Sequence, residues 1–218
     1  MIGVDVGSVR RKGGFAWSSA DASAHGEDDP SVLGATIVDA LGARRSVAVA
    51  FESPLSVPVP GTEDGAWQEL GRARKGEGNR SWSAGAGAGS LATGIVQLAW
   101  LLSYLRCQAR EAPRVTTSVQ RWKAGEADLL IAEAMVTSDG KPEPVDAPQD
   151  HADALAAAKR LGEILSDSPE QFKADVACAP HAALNLAATA AMHAGLLVDP
   201  AEISADVLVA KVRPVAPA

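Results

Sequence analysis

Four acidic residues lie where apolar segments end or where a helix begins, which are positions from which side chains can form a catalytic or metal-binding site. Asp5 interrupts the apolar run at the start of the chain, and Glu52 directly follows a second apolar run. Asp150 and Asp153 open an alanine-rich segment three residues apart, so on a helix both project from one face of the first turn. A carboxylate within apolar surroundings is costly unless it is paired, hydrogen-bonded or bound to a cation. These four acids are therefore candidate catalytic and metal-binding residues.

Each of these acids also has a purely structural explanation, which the sequence leaves open. Asp5 could accept hydrogen bonds from the amides of the turn that follows it, and Glu52 could cap a loop. Asp150 is a natural N-cap, and Asp153 would be favoured near the positive end of the helix dipole.

Two further residues are additional candidates. Glu133 lies in the apolar segment 127–136, for which a strand and a helix are both open because Ala, Leu and Glu favour helices. His151 directly follows Asp150 and points elsewhere on the helical wheel unless the helix begins at His151 itself.

Carboxylates that several elements deliver to one point cannot all ionise together without a cation. Their hard oxygen atoms select Mg²⁺ or Mn²⁺. Two such ions can bind the attacking and leaving oxygens of a phosphodiester displacement. The acids therefore predict a metal-dependent phosphoryl-transfer site.

A long irregular stretch, 55–89, contains prolines early, glycines late and a cluster of basic residues. A loop of this length is usually functional or disordered. One interpretation is a solvated excursion. The other is an arm over the acids that contacts substrate phosphates, with two tryptophans available for base stacking. Its candidate phosphate-binding residues are Arg72, Arg74, Lys75 and Arg80.

The hydrophobic pattern predicts an α/β protein. The continuous apolar run 46–51 is typical of a strand that is covered on both faces. Period-two runs and apolar stripes predict strands over 2–6, 15–19, 46–51, 115–119, 127–136 and 206–212, and helices over 30–41, 90–111, 150–161, 169–177 and 182–194.

Composition limits the classes of partner and compartment. The chain has 218 residues and a net charge of −7, so as a whole it is not a generic binder of polyanions. We expect Cys107 and Cys178 to be buried free thiols of a reducing compartment. There is no signal-peptide pattern, and the apolar run 95–105 is too short and interrupted to span a bilayer. We therefore expect a cytoplasmic protein that does not enter a membrane.

Three segments, 2–8, 50–54 and 150–156, resemble the acidic motifs of the RNase H-like superfamily. The likeness is closest to Holliday-junction resolvases and to uncharacterised predicted RNase H-like nucleases. In the resolvases a first-strand Asp, a Glu on a central strand and two acids on a late helix bind the metals, and the matching positions are Asp5, Glu52, Asp150 and Asp153. In some relatives a His takes the first helical position, which keeps His151 as a candidate.

The resemblance implies an RNase H-like mixed β-sheet flanked by helices over 1–165, interrupted by the flexible insertion 55–89. We expect 166–218 to form a helical C-terminal extension that packs on this domain. The family has a three-stranded meander before its first helix, of which the sequence predicts only two strands. The implied activity is nuclease cleavage of DNA or RNA by a two-metal mechanism, and the likeness to resolvases suggests a homodimer.

Two other functions stay open. An RNase H-like scaffold could bind nucleic acid or protein without cleaving it, which the acidic net charge favours. The Gly3–Ser8 segment would also suit the phosphate-binding hairpin of an actin-like nucleotide-binding fragment, although such proteins need a second comparable domain.

Overall fold

A computed structural model of the chain describes residues 1–78, 81–137, 140–144, 147–167, 175–196 and 198–213. Its main element is a seven-stranded mixed sheet. The strands of this sheet are β1 (Ile2–Asp5), β2 (Ala16–Ser19), β3 (His25–Glu27), β4 (Val47–Phe51), β6 (Val115–Thr116), β7 (Leu129–Met135) and β9 (Val209–Lys211). Their order is β3-β2-β1-β4-β7-β6, and β9 also pairs with β7.

The first three strands form an antiparallel meander. The sequence predicted the first two strands, whereas β3 lies in a stretch for which no strand was predicted. His25–Glu27 is short and mostly exposed, so it carries no hydrophobic alternation. It is held beside Trp17, whose indole lies so close to Gly26 that a Cβ there would be 2.6 Å from Nε1.

The parallel half of the sheet consists of β1, β4 and β7 with the edge strands β6 and β9. Every residue of β4 and β7 is buried, which confirms both predicted apolar strands and the α/β class. Segment 127–136 is therefore a strand and not a helix. β6 pairs with the first half of β7 and β9 with its second half, so both lie along the same side of that strand.

Helices cover both faces of the sheet. The helices are α1 (Pro30–Gly42), α2 (Gly85–Gln108), α3 (Val119–Lys123), α4 (Gln149–Ser166) and α5 (Leu186–His193). Val49 and Phe51 of β4 belong to the same core cluster as the leucines of α2. Ala48 and Ala50 face the other way and pack in a second cluster with α4.

The helix α2 is longer than the sequence predicted. It begins at Gly85 inside the expected irregular stretch, and it contains the apolar run 95–105. By length and composition alone this helix could cross a membrane, a test that core helices of soluble proteins also pass. Leu98, Leu101, Leu102 and Leu105 are buried in the core of the domain.

The remaining chain is less helical than expected. Segment 55–89 contains β5 (Ser56–Val59) and a 3-10 helix (Ala66–Glu69). β5 pairs with β8 (Ala182–Asn185), which replaces the first turn of the predicted helix 182–194. A second 3-10 helix, Pro200–Ser204, precedes β9. Most of the predicted helix 169–177 lies outside the described residues, and Ala177 forms a β-bridge with Lys75.

Both cysteines are free thiols. Cys178 is buried, as expected, and burial raises the pKa of its thiol to about 12. Cys107 is exposed near the end of α2, so its expected burial is wrong.

Candidate functional site

Asp5 and Glu52 lie next to each other at the carboxyl ends of two paired parallel strands. Val4 of β1 is in register with Phe51 of β4, so the next residue of each strand emerges at the same edge of the sheet. The Glu52 amide donates a hydrogen bond to the Val4 carbonyl at 2.8 Å, which fixes the backbone of Glu52 beside β1. The two acids therefore converge because of strand register.

The helix α4 reaches this edge because β1 contains a glycine. A Cβ added to Gly3 would lie 2.0 Å from the Ala154 carbonyl oxygen and 2.6 Å from the Ala158 amide nitrogen. Only glycine permits so close an approach of a helix backbone to a strand. Asp153 immediately precedes this contact, and Asp150 lies one turn earlier.

The Asp5 carboxyl group interacts with all three of the other predicted acids. Its surroundings include the side chains of Glu52 and Asp150 and the charge of Asp153. Burial raises the pKa of Asp5 to about 6. The interaction with the Glu52 side chain lowers this pKa, whereas the negative charges of Asp150 and Asp153 raise it further. Asp5 therefore lies within interaction range of each of the three other acids.

Two structural alternatives for these acids are not observed. The helix α4 begins at Gln149 with Pro148 as its N-cap, so Asp150 is not the capping residue. The largest interactions of the Asp5 side chain are with other acids rather than with turn amides.

An open cavity of about 260 Å³ lies over Asp5 and Glu52. Its opposite wall is one face of the first turns of α2, formed by Ala86, Gly89, Ser90 and Thr93. These small side chains leave room above the acids, and they recur at the spacing of a helix face. Among the described residues, the lining contains no Lys or Arg.

Asp153 has partners that the sequence did not indicate. Its Oδ2 atom lies 3.1 Å from Lys141 Nζ, and its Oδ1 atom accepts a hydrogen bond of 2.7 Å from Gln149 Nε2. The residue is only 3% exposed. The helical spacing of Gln149 and Asp153 could have suggested their contact, whereas no local signal links Lys141 to the site.

Glu133 and Arg74 form a buried ion pair, and neither residue lines the cavity over Asp5 and Glu52. The Arg74 guanidinium bonds to both oxygens of Glu133, at 2.6 and 2.7 Å, and also to Glu77 and the Ser56 carbonyl. Glu133 also accepts a bond from the Leu55 amide at 2.8 Å. Burial raises the pKa of Glu133, against the opposing charge of Arg74. Arg74 is 3% exposed, so its expected contact with substrate phosphate is corrected to a structural role.

The buried ion pair supports the walls of the cavity. It joins the end of β7 to the segment that follows Glu52, through Leu55 and Ser56. Glu77 extends it by accepting a bond from the Trp82 amide at 2.9 Å, three residues before α2 begins.

The other basic residues of the segment lie at the surface or outside the described chain. Arg72 is exposed and pairs with Glu69. Lys75 is exposed, and its backbone is bonded to Ala177. Arg80 lies outside the described residues.

His151 lies beside the site and not in it. Its Nε2 atom is 3.8 Å from Glu27 Oε2, and its ring packs edge-on against His25 at a centroid distance of 5.5 Å. The histidine therefore contacts β3, on the meander side of α4.

The oxygen donors of the acid cluster are the type that Mg²⁺ and Mn²⁺ prefer. Within the described ranges, no three His, Cys, Asp or Glu side chains are grouped so as to hold a metal ion. The Asp5 carboxyl group interacts with the acids that surround it. A bound cation would have to replace these contacts.

Comparison with protein-family models, with curated proteins and with solved structures yields no significant match.

Proposed function

We propose that the protein is a divalent-metal-dependent nuclease of the RNase H-like superfamily that hydrolyses phosphodiester bonds. The observation that carries this proposal is that Asp5 interacts with Glu52, Asp150 and Asp153, and that Asp5 and Glu52 line an open cavity at the ends of two parallel strands.

The architecture supports the RNase H-like assignment. The three-stranded meander that the resemblance requires is present before the first helix, although the sequence predicted only two of its strands. The first strand of the meander pairs in parallel with β4, and the acidic helix α4 packs on it. This arrangement is compatible with the positions that the resemblance implies for the three acidic motifs.

The electrostatics of the cluster support a cationic ligand. The pKa of Asp5 is raised chiefly by burial and further by the negative charges of Asp150 and Asp153. Asp5, Glu52 and Asp150 would hold Mg²⁺ or Mn²⁺, with Asp153 beside them. The bound ion would polarise a phosphoryl oxygen and lower the pKa of a water molecule. Without such a cation, a phosphodiester would meet only like charge in the cavity.

The substrate we propose is DNA or RNA. Arg72 remains a candidate for phosphate contact because its loop lies against the approach to α2. Its carbonyl accepts a bond of 2.9 Å from Trp82 Nε1, and the neighbouring Gly71 carbonyl accepts one of 2.5 Å from Ser83 Oγ. Residues of the first turns of α2 then line the cavity. Lys75 is exposed in the same loop.

Cleavage of labelled nucleic acids tests the proposal. The purified chain is incubated with single-stranded, duplex and four-way-junction DNA, with RNA and with RNA–DNA hybrids, in Mg²⁺ or Mn²⁺ and in EDTA. We expect metal-dependent cleavage of at least one substrate and its loss in Asp5→Asn. The matched control is Asp39→Asn, an exposed acid on α1, which should cleave like the wild type. Cleavage that persists in EDTA or in Asp5→Asn would refute the proposal.

A second candidate is a related scaffold that binds nucleic acid without cleaving it. Two observations favour it: the net charge of −7 and the ion pair between Lys141 and Asp153. Binding of a labelled substrate in a filter or anisotropy assay, with no product in either metal, would identify this case.

A further inference from the structure

Lys141 gives the acid cluster a cation of its own. The charged atoms of Lys141 and Asp153 are 3.1 Å apart, and the Asp153 side chain is 5% exposed. A buried carboxylate that already has a close, hydrogen-bonded cation has little need of a second one. Because Gln149 occupies the other oxygen, both oxygens of Asp153 are engaged.

The fold holds Lys141 in this position. Gln149 bonds not only to Asp153 but also to the Pro142 carbonyl, at 3.0 Å, which ties the residue after Lys141 to the first turn of α4. On the other side, a Cβ at Gly140 would be 2.2 Å from the Val212 carbonyl oxygen, so the backbone there packs directly against the end of the sheet. Lys141 is thus flanked by two anchored residues.

Asp5 has a different environment. Each of the side chains that shift its pKa is an acid, Glu52, Asp150 and Asp153. Of these acids, Asp153 is the one whose charge Lys141 offsets directly. The cluster therefore has two parts: Asp153, which is paired with Lys141, and the acids around Asp5 with which that lysine forms no ion pair among the described residues.

We infer that Lys141 takes the place of a second metal ion, so that the site binds one divalent ion at Asp5, Glu52 and Asp150. This inference rests on the proposed metal-dependent function. It modifies the two-metal arrangement that the resemblance implies, because a second ion at Asp153 would have to displace the lysine ammonium.

Isothermal titration of the full chain with Mn²⁺ tests the inference, because the stoichiometry is read without any substrate. We expect one ion per chain for the wild type and two for Lys141→Met, which keeps the aliphatic stem and removes the charge. Lys141→Arg should still bind one ion. The matched control is Lys123→Met, because Lys123 bonds to the Asp167 carbonyl at the far end of α4, and it should also bind one.

Two ions bound to the wild type would overturn the inference while leaving the proposed function intact. One ion bound to Lys141→Met would also overturn it, because the lysine would then not be what excludes the second ion. The absence of any binding to both proteins would refute the proposed function together with the inference. Circular dichroism of each variant establishes that the fold is retained.

Discussion

Replacing Asp5 with Asn should stabilise the protein at neutral pH while it removes the proposed activity. The pKa of Asp5 is raised from 3.8 to about 6, so the folded state favours the protonated carboxyl group. A raised carboxyl pKa stabilises the fold fully below the unfolded value and loses that contribution as pH rises through the folded value. The stability of the wild-type protein should therefore decrease as the pH rises from about 4 to about 6, because Asp5 loses its proton over this range.

The shift of about two pH units corresponds to ~3 kcal/mol, at 1.36 kcal/mol per unit. Asn resembles the protonated acid in shape and carries no charge to repel Asp150 and Asp153. At pH 8, Asp5→Asn should thus unfold with a free energy about 3 kcal/mol above that of the wild type. For a chain of this length, that difference raises the melting temperature by roughly 6–12 °C.

Urea unfolding of both proteins at pH 8 and at pH 4.5 measures the effect. The advantage of Asp5→Asn should shrink by roughly 2 kcal/mol at the lower pH, because the wild-type acid is then largely protonated. Asp39→Asn, at an exposed position of α1, is the matched control for this measurement. A variant that is less stable than the wild type at pH 8, with a difference that does not change with pH, would refute this account of the acid cluster.

Three further outcomes are expected. Gly3→Ala should lower the unfolding free energy by about 1–3 kcal/mol and weaken Mn²⁺ binding, because α4 must move away from β1 to make room for the added Cβ. Urea unfolding and metal titration measure the two effects. Gly162→Ala is the control and should change neither quantity, because its added Cβ would be 3.7 Å from the nearest atom. Arg74→Met should lower the free energy of urea unfolding by roughly 3–5 kcal/mol, because it leaves buried carboxylates without their cation. Arg72→Met, at the surface, should change this free energy little. Equal effects of the two substitutions would contradict the roles assigned to the two arginines. Below about pH 6 the apparent Mn²⁺ affinity should fall about tenfold per pH unit, because Asp5 then holds its proton. Titration calorimetry measures this affinity. A value that stays constant from pH 5 to pH 8 would contradict the expectation.

The parts of the site that follow strand ends could be predicted from the sequence. Asp5 and Glu52 each follow an apolar run, and parallel strands end at a common edge, so their meeting needed only the correct pairing of β1 with β4. The alanine-rich segment that follows Asp150 and Asp153 also predicts that both residues lie in the first turns of a helix.

The parts that depend on long-range contacts could not be predicted. The sequence places Arg74 in a basic loop and Glu133 among the candidate site acids. The two residues form a buried ion pair because the loop packs against β7, and no local sequence pattern indicates this contact. Lys141 likewise reaches Asp153 only because residues 140–142 are anchored between α4 and the end of the sheet.

The short elements were missed for the same reason. The strand His25–Glu27 is polar and is held by its pairing with β2, and β8 is held by its pairing with β5. Ala182–Asn185 has a helix-favouring composition, which tertiary pairing overrides.

The most direct test of the central claim is a crystal structure of the protein grown with Mn²⁺ and measured at a wavelength where manganese scatters anomalously. We expect one anomalous peak within bonding distance of carboxylate oxygens of Asp5, Glu52 and Asp150, with Lys141 still paired to Asp153. The absence of any peak at these residues in crystals grown at neutral pH and saturating Mn²⁺ would contradict the claim that the acids form a metal site.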